Sequence, residues 1–186
     1  MNSNNLVKIS PVFKGMCREI FFTIQNSKYI DGTLPKYENV ETLSDGAIIS
    51  TPTLKTSNSK NLLLYGEDNN GSGTPLDSYQ IVFNGKIRET YRSGIYSNTI
   101  PFYAYHTNYP GDGINNYSMA LYPELLQPSG HGTLNKIRRV DFDIKIKESV
   151  KKELEEYNRN LTIKFYTHGQ TILRIMSGLS GLAFYV

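Results

Sequence analysis

The chain reads as an all-β protein: an antiparallel two-sheet sandwich of about eight strands, with one short helix near residues 148–158. Three observations predict this. Val140, Phe142, Ile144 and Ile146 alternate with Asp141, Asp143, Lys145 and Lys147, the period of a strand with one face on a core and one in water. Comparable apolar runs recur along the chain, separated by clusters of Gly, Pro, Asn and Ser that mark turns. Aromatic residues make up 12%, with 14 Tyr, 8 Phe and no Trp, and Tyr and Phe favour strands.

The elements follow in order. Leu6 to Gly15 predicts a strand broken near Pro11. Arg18 to Gln25 is a stronger strand, with Ile20, Phe22 and Ile24 on one face. Residues 26–78 form a long, loop-rich insertion holding two short apolar runs, Ala47–Ile49 and Leu62–Tyr65. Tyr79, Ile81, Phe83 and Ile87 lie in a strand interrupted at Asn84-Gly85, a pair suited to a tight turn. The tyrosine-rich run before His106 is read as a strand, and so is the apolar run Tyr117–Tyr122, which closes at Pro123. The loop Gln127-Pro128-Ser129-Gly130 is a stiff corner: Pro128 fixes one φ, and Gly130 permits values that other residues resist.

Val150, Leu154 and Tyr157 recur at helical spacing between Lys147 and Arg159, with Lys151/Glu155 and Lys152/Glu156 as pairs four apart. Leu161, Ile163 and Phe165 mark a further strand. A last strand runs from about Gln170 to Ile175, and the chain bends around Gly178 and Gly181.

Several of these segments match a known pattern in their wording. Gln127-Pro128-Ser129-Gly130 followed by Leu134, Lys136 and Ile137 resembles the Q-P-S-G-x-x-N-x-S-R-I signature of major capsid proteins of nucleocytoplasmic large DNA viruses. Ile172 to Phe184, ILRIMSGLSGLAF, resembles that family's N-V-L-R-I-M-S-G-M-G-G-L-A-F, with Arg174, Gly178 and Gly181 in matching places. Ile81, Asn84, Gly85 and Arg88 fit its L-x-x-N-G-x-x-R, and Met16 to Gln25 resembles P-V-K-E-L-I-W-V-V-Q with Phe22 at the usual Trp. His131 and Thr133 stand where Thr/Ser and Asn are usual, and Arg138 where Asp is common.

The resemblance implies a single jelly roll over 1–186, matching the C-terminal half of a double jelly-roll capsid protein. It also implies a structural role in an icosahedral shell and a location in the virion, with host cytoplasm before assembly. The expected partners are other subunits of a trimeric capsomer, and an N-terminal jelly roll if that is encoded separately. A virus-derived jelly roll that binds carbohydrate or a receptor is the alternative, carried by Tyr103, Tyr105, Tyr109 and Tyr117.

The sequence offers little to enzyme chemistry. His106, His131 and His168 are isolated, with no pair at ligand spacing. Ser129 lacks the G-x-S-x-G context of a nucleophile elbow. Asp141 and Asp143 share a strand face, but Lys145 and Lys147 continue that row as a solvated surface. The acids of Gly66–Gly73 have no calcium-loop spacing. Cys17, the one cysteine, reads as a buried inert thiol. Twenty Lys+Arg against seventeen Asp+Glu leave +3, too little to imply direct nucleic-acid binding. No catalytic residue, cofactor, metal or membrane span is therefore expected.

Overall fold

The structure is a computed structural model that describes residues 5–31, 40–42, 48–50, 62–68 and 71–183. Its first strands are β1 (Leu6–Ile9) and β2 (Met16–Asn26), with a short helix α1 (Ser27–Asp31) behind them. A small antiparallel pair follows, β3 (Val40–Thr42) on β4 (Ile48–Ser50). Next come β5 (Leu76–Phe83), β6 (Lys86–Ser93), α2 (Gly94–Tyr105) and β7 (Ile114–Ser118). The rest is β8 (Gly132–Thr133), a 3-10 turn at Leu134–Lys136, β9 (Val140–Ile146), α3 (Glu148–Glu156), β10 (Leu161–Gln170), β11 (Ile172–Met176) and β12 (Leu179–Ala183).

Two four-stranded antiparallel sheets carry the fold, one ordered β1-β9-β5-β6 and the other β10-β2-β7 with β8 also on β2. They pack through the alternating apolar faces read from the sequence. Ile20, Phe22 and Ile24 of β2 are each 0% exposed, as are Ile81, Phe142 and Ile144 opposite them. Phe22 is the hub: its ring centroid lies 5.4 Å from Tyr79, 5.6 Å from Phe142 and 6.1 Å from Phe165. This is the jelly-roll sandwich expected, and β11–β12 stands as a separate two-stranded hairpin.

β2 is buried on both faces, not one. Its outer face carries Glu19, Thr23 and Gln25, all buried, and Phe21, whose ring stacks on Phe102 of α2 at 6.2 Å. Gln25 donates to the carbonyls of Leu62 and Leu64, so the 62–66 segment covers the far end of that face. The apolar run Leu62–Tyr65 turns at Leu62 and Leu63, both exposed, within the loop expected there. β4 takes up part of Ala47–Ile49, and much of the expected 26–78 insertion lies outside the described residues.

Helix α2 is the main correction, because the tyrosine-rich run was read as a strand. Its buried residues, Gly94, Ser97, Asn98, Pro101 and Phe102, do recur at helical spacing. Four of the five are small or polar, so a search for large apolar residues sees no stripe. The large ones, Ile95, Ile100 and Tyr103, point outward. Ser93 caps the N-terminus by accepting from Tyr96 N–H at 3.3 Å. Gly94 is required by contact: a Cβ there would lie 2.1 Å from the Leu76 carbonyl oxygen. The polar stripe is satisfied inside, with Ser97 donating to Asn115 Oδ1 and Asn98 to the carbonyls of Gly111 and Ile114.

Three other readings shift. The strand placed at Tyr117–Tyr122 is β7, which ends at Ser118 because Met119 and Ala120 N–H both turn onto the Arg18 carbonyl. Gly178 with Ser177 makes the turn of a hairpin, at φ 79° and 49°, and Gly181 sits inside β12 opposite Arg174. Asp143, expected in water, is 8% exposed beneath Lys8, because β1 pairs along that side of β9. The expected helix is found as α3, with Val150 buried and Lys151–Glu155 paired at 3.8 Å.

Candidate assembly surface

The strongest polar arrangement among the described residues centres on Glu19, which is 1% exposed. A buried carboxylate needs donors on every side. His168 Nδ1 lies 2.7 Å from Glu19 Oε1, and His106 Nε2 lies 2.8 Å from Oε2. Asn116 Nδ2 donates to the same Oε2 at 2.7 Å. The other ring nitrogen of His106 lies 3.2 Å from Glu124, whose carboxylate also accepts Thr107 N–H. One carboxylate thus ties β2, β7, β10 and the end of α2 together. His106 is the C-cap of α2, not a strand end, and His131 is exposed as expected.

Next to it, Arg18 acts as a clamp. Its guanidinium donates to the carbonyls of Pro123, Leu125 and Leu126, and to Gln170 Oε1 at 2.7 and 2.9 Å. The 123–126 loop is therefore fixed beside the foot of the β11–β12 hairpin. Neither Arg18 nor Glu19 was singled out in the sequence. Their signal was two adjacent charges at the head of an apolar strand, where a half-buried edge would place only one.

The corner motif lies in the same loop. Ser129 Oγ accepts Tyr122 N–H at 2.7 Å, and Gly130 has φ 143°. A Cβ at Gly130 would stand 3.0 Å from the Met119 carbonyl oxygen, while Gln127 and Pro128 are exposed. On the first sheet, Asn84 (φ 50°) and Gly85 (φ 77°) form the β5–β6 turn. Asn84 exchanges hydrogen bonds with the Arg139 backbone at 2.9 and 3.0 Å. Arg88 donates to the Tyr117 hydroxyl at 2.9 Å. Arg174 is exposed on β11. Gly130 packs on the end of β7 at Met119, Arg88 reaches β7 at Tyr117, and Asn84 with Gly85 turns β5 into β6.

The four tyrosines of the binding alternative are not brought together. Tyr105 and Tyr117 line a hollow of about 280 Å³ with Arg88 and Tyr96, but Tyr103 and Tyr109 lie outside it. Glu67 gives its carboxylate to Lys147 at 2.7 Å and to Ser149. Burial pushes the Cys17 thiol up to about 12. Among the described residues no cluster of His, Cys, Asp or Glu is arranged to hold a metal ion, and no helix is long and apolar enough to cross a membrane.

What the surface does offer is apolar. On the hairpin Ile172, Leu173, Ile175, Met176, Leu179 and Leu182 are each at least 50% exposed. Leu121, Tyr122, Leu125 and Leu126 of the clamped loop are also exposed, Leu126 by 97%.

Comparison with known proteins gives this surface a setting. The family profile described as large eukaryotic DNA virus major capsid protein matches residues 1–181. The major capsid protein of Phaeocystis pouchetii virus is 32% identical over 110 residues, covering 59% of this chain and 20% of the relative. A probable capsid protein of Acanthamoeba polyphaga mimivirus is 35% identical over 112 residues, 59% of this chain and 20% of the relative. Among solved structures, the PBCV-1 VP54 crystal structure fitted into a reconstruction of the virophage Sputnik superposes with TM-score 0.68 at 22% identity. That match covers 100% of this chain and 47% of the other, so the chain spans about half of that solved protein and a smaller share of the curated relatives.

Proposed function

The chain belongs to the large eukaryotic DNA virus major capsid protein family, and from that membership we propose that it is a structural subunit of an icosahedral virion shell. The family match over residues 1–181 carries the reading. The mechanism is geometric: the sandwich is a stiff wall, and loops at its end meet neighbouring subunits. By analogy with its relatives the chain works within a trimeric capsomer and passes through the host cytoplasm before assembly. It corresponds to one of two tandem jelly rolls, with the other supplied by the same or a separate polypeptide. The role requires no catalytic group, cofactor or nucleic-acid contact.

Mass spectrometry and immunogold labelling of purified virions test this. The chain is expected in the shell layer in stoichiometric amounts. A chain abundant in infected cells yet absent from purified particles would overturn the reading.

A further inference from the structure

We propose that His106 is a proton-operated latch: protonated, it fastens the apolar 121–126 loop to the sandwich, and neutral, it lets the Glu124 arm of that loop go. The latch lies within one chain and does not depend on the shell-subunit reading.

Carboxylate oxygens only accept hydrogen bonds, and a neutral imidazole has one N–H to give. Both ring nitrogens of His106 face carboxylates, Nε2 at 2.8 Å from Glu19 Oε2 and Nδ1 at 3.2 Å from Glu124 Oε1. Only the imidazolium donates to both. A neutral ring sets one lone pair against an oxygen that is itself an acceptor, so one of the two ties must fail. His168 differs, because it meets Glu19 through Nδ1, at 2.7 Å from Oε1, and its neutral form satisfies that bond. Two histidines share one carboxylate, and His106 is the one that needs the extra proton.

The His106 ring has little freedom to turn away when the proton leaves. Its side chain is 10% exposed and stands 6.0 Å from Phe21 and 5.0 Å from Phe102. Burial decides which tie fails. Glu19 is 1% exposed, and stranding a buried acceptor costs more than releasing one that water can reach. The Glu124 side chain is 39% exposed and keeps Thr107 N–H as a donor. Nε2–H therefore stays on Glu19, and the Glu124 arm opens.

The charged and titratable groups around the ring set the direction. On β2 these are Glu19 with its neighbours Arg18 and Cys17, on the loop Glu124, and on β10 His168; α2 and β7 carry no charged residue. Thr107 N–H, and after it His106, hold the Glu124 carboxyl below the usual carboxylate range, so it stays ionised where histidines change charge. Burial keeps the Cys17 thiol neutral there. A group bound in its protonated form contributes fully below its ordinary value, near 6.5 for histidine, and the contribution is lost as pH climbs past it. The latch is closed on the acid side and opens on the alkaline side. Arg18, charged throughout, holds the carbonyls of Pro123, Leu125 and Leu126 in both states, so opening loosens the loop without detaching it. The proton thus sets how rigidly exposed Leu121, Tyr122, Leu125 and Leu126 are presented.

Nitrogen-15 NMR of the imidazoles in the full chain tests this between about pH 5 and pH 8, with amide exchange of the 121–126 loop corrected for its intrinsic pH dependence. Both His106 nitrogens should carry protons at the acid end, and Nε2 alone at the alkaline end. Loop protection should fall about threefold relative to β2, the weight of one partly exposed ion pair. Glu124→Gln offers Nδ1 either a donor or an acceptor, so it should remove the pH dependence of the loop; near-UV circular dichroism checks that its core is intact. His168→Gln should leave that dependence in place. A His106 ring that keeps one charge state across the range would overturn the proposal. So would loop protection indifferent to pH, or a Glu124→Gln loop that still loosens as pH rises.

Discussion

Phe22→Ala is the sharpest test of how the two sheets are held together. The ring is 0% exposed and meets Tyr79, Phe142 and Phe165 at centroid distances of 5.4, 5.6 and 6.1 Å. Its transfer out of water contributes about 1.5–3 kcal/mol. Aromatic pairs add about 0.5–1.5 kcal/mol each in favourable cases, though these are not additive. Truncation also leaves a cavity, and here its walls are rings anchored on β5, β9 and β10 that cannot all move inward. The expected loss is therefore about 4 kcal/mol, within the range seen for buried Phe→Ala. With a urea slope near 2 kcal/mol/M for a domain of this size, the midpoint should fall by about 2 M. Phe22→Leu, which keeps much of the volume, should lose about 1.5 kcal/mol. Tyr103→Ala, at a position 90% exposed, should stay within about 0.5 kcal/mol. Urea denaturation followed by far-UV circular dichroism reads all three. A Phe22→Ala loss under about 0.5 kcal/mol, the ordinary surface range, would refute the claim that this ring joins the sheets.

Cys17, its thiol pushed up to about 12 by burial, should be silent to a thiol reagent at pH 8 and react fully once unfolded. Burial also raises the Tyr29 and Tyr79 hydroxyls; a raised folded value means their contribution is intact below the unfolded value near 10 and is lost as pH climbs past it. Thermal melts should therefore fall above about pH 10, and Tyr79→Phe should lessen the fall. Gly130→Val, at φ 143° and against the Met119 carbonyl, should lose about 1–3 kcal/mol. Ser129→Ala, which removes the acceptor of Tyr122 N–H, should lose about 0.5 kcal/mol; a Gly130→Val harmless in thermal melts would end the corner reading.

The legible part of the fold was the part with large alternating side chains. β2, β5, β9 and β10 declare themselves because their core faces are Ile, Phe, Tyr and Val. Helix α2 did not, because the residues it buries are Gly, Ser, Asn and Pro beside a single Phe. The cause is what it packs on: α2 covers the polar outer face of β2 and β7, so its inner stripe is hydrogen-bonding rather than oily. The same cover hides Glu19. Strand periodicity puts Glu19 on the face opposite Ile20, Phe22 and Ile24 and so predicts water there. Only the placement of α2, β7 and β10 turns that water into His106, Asn116 and His168.

The hairpin is a second case, since its first strand was legible and its partner strand was not. The sequence reads as one last strand over about 170–175 with a bend at Gly178 and Gly181, whereas the fold makes a hairpin of β11 and β12 after β10 has reached the end of its pairing with β2 at Gln170 and Met16. Beyond that point β2 has ended, and among the described residues β11 pairs with β12. Among the described residues the large apolar side chains of this hairpin stay exposed. Arg18 bears on this, because the residue that closes the sandwich at Gln170 also fixes Leu125 and Leu126 beside it. A single side chain thus links the end of the internal core to the apolar surface outside it.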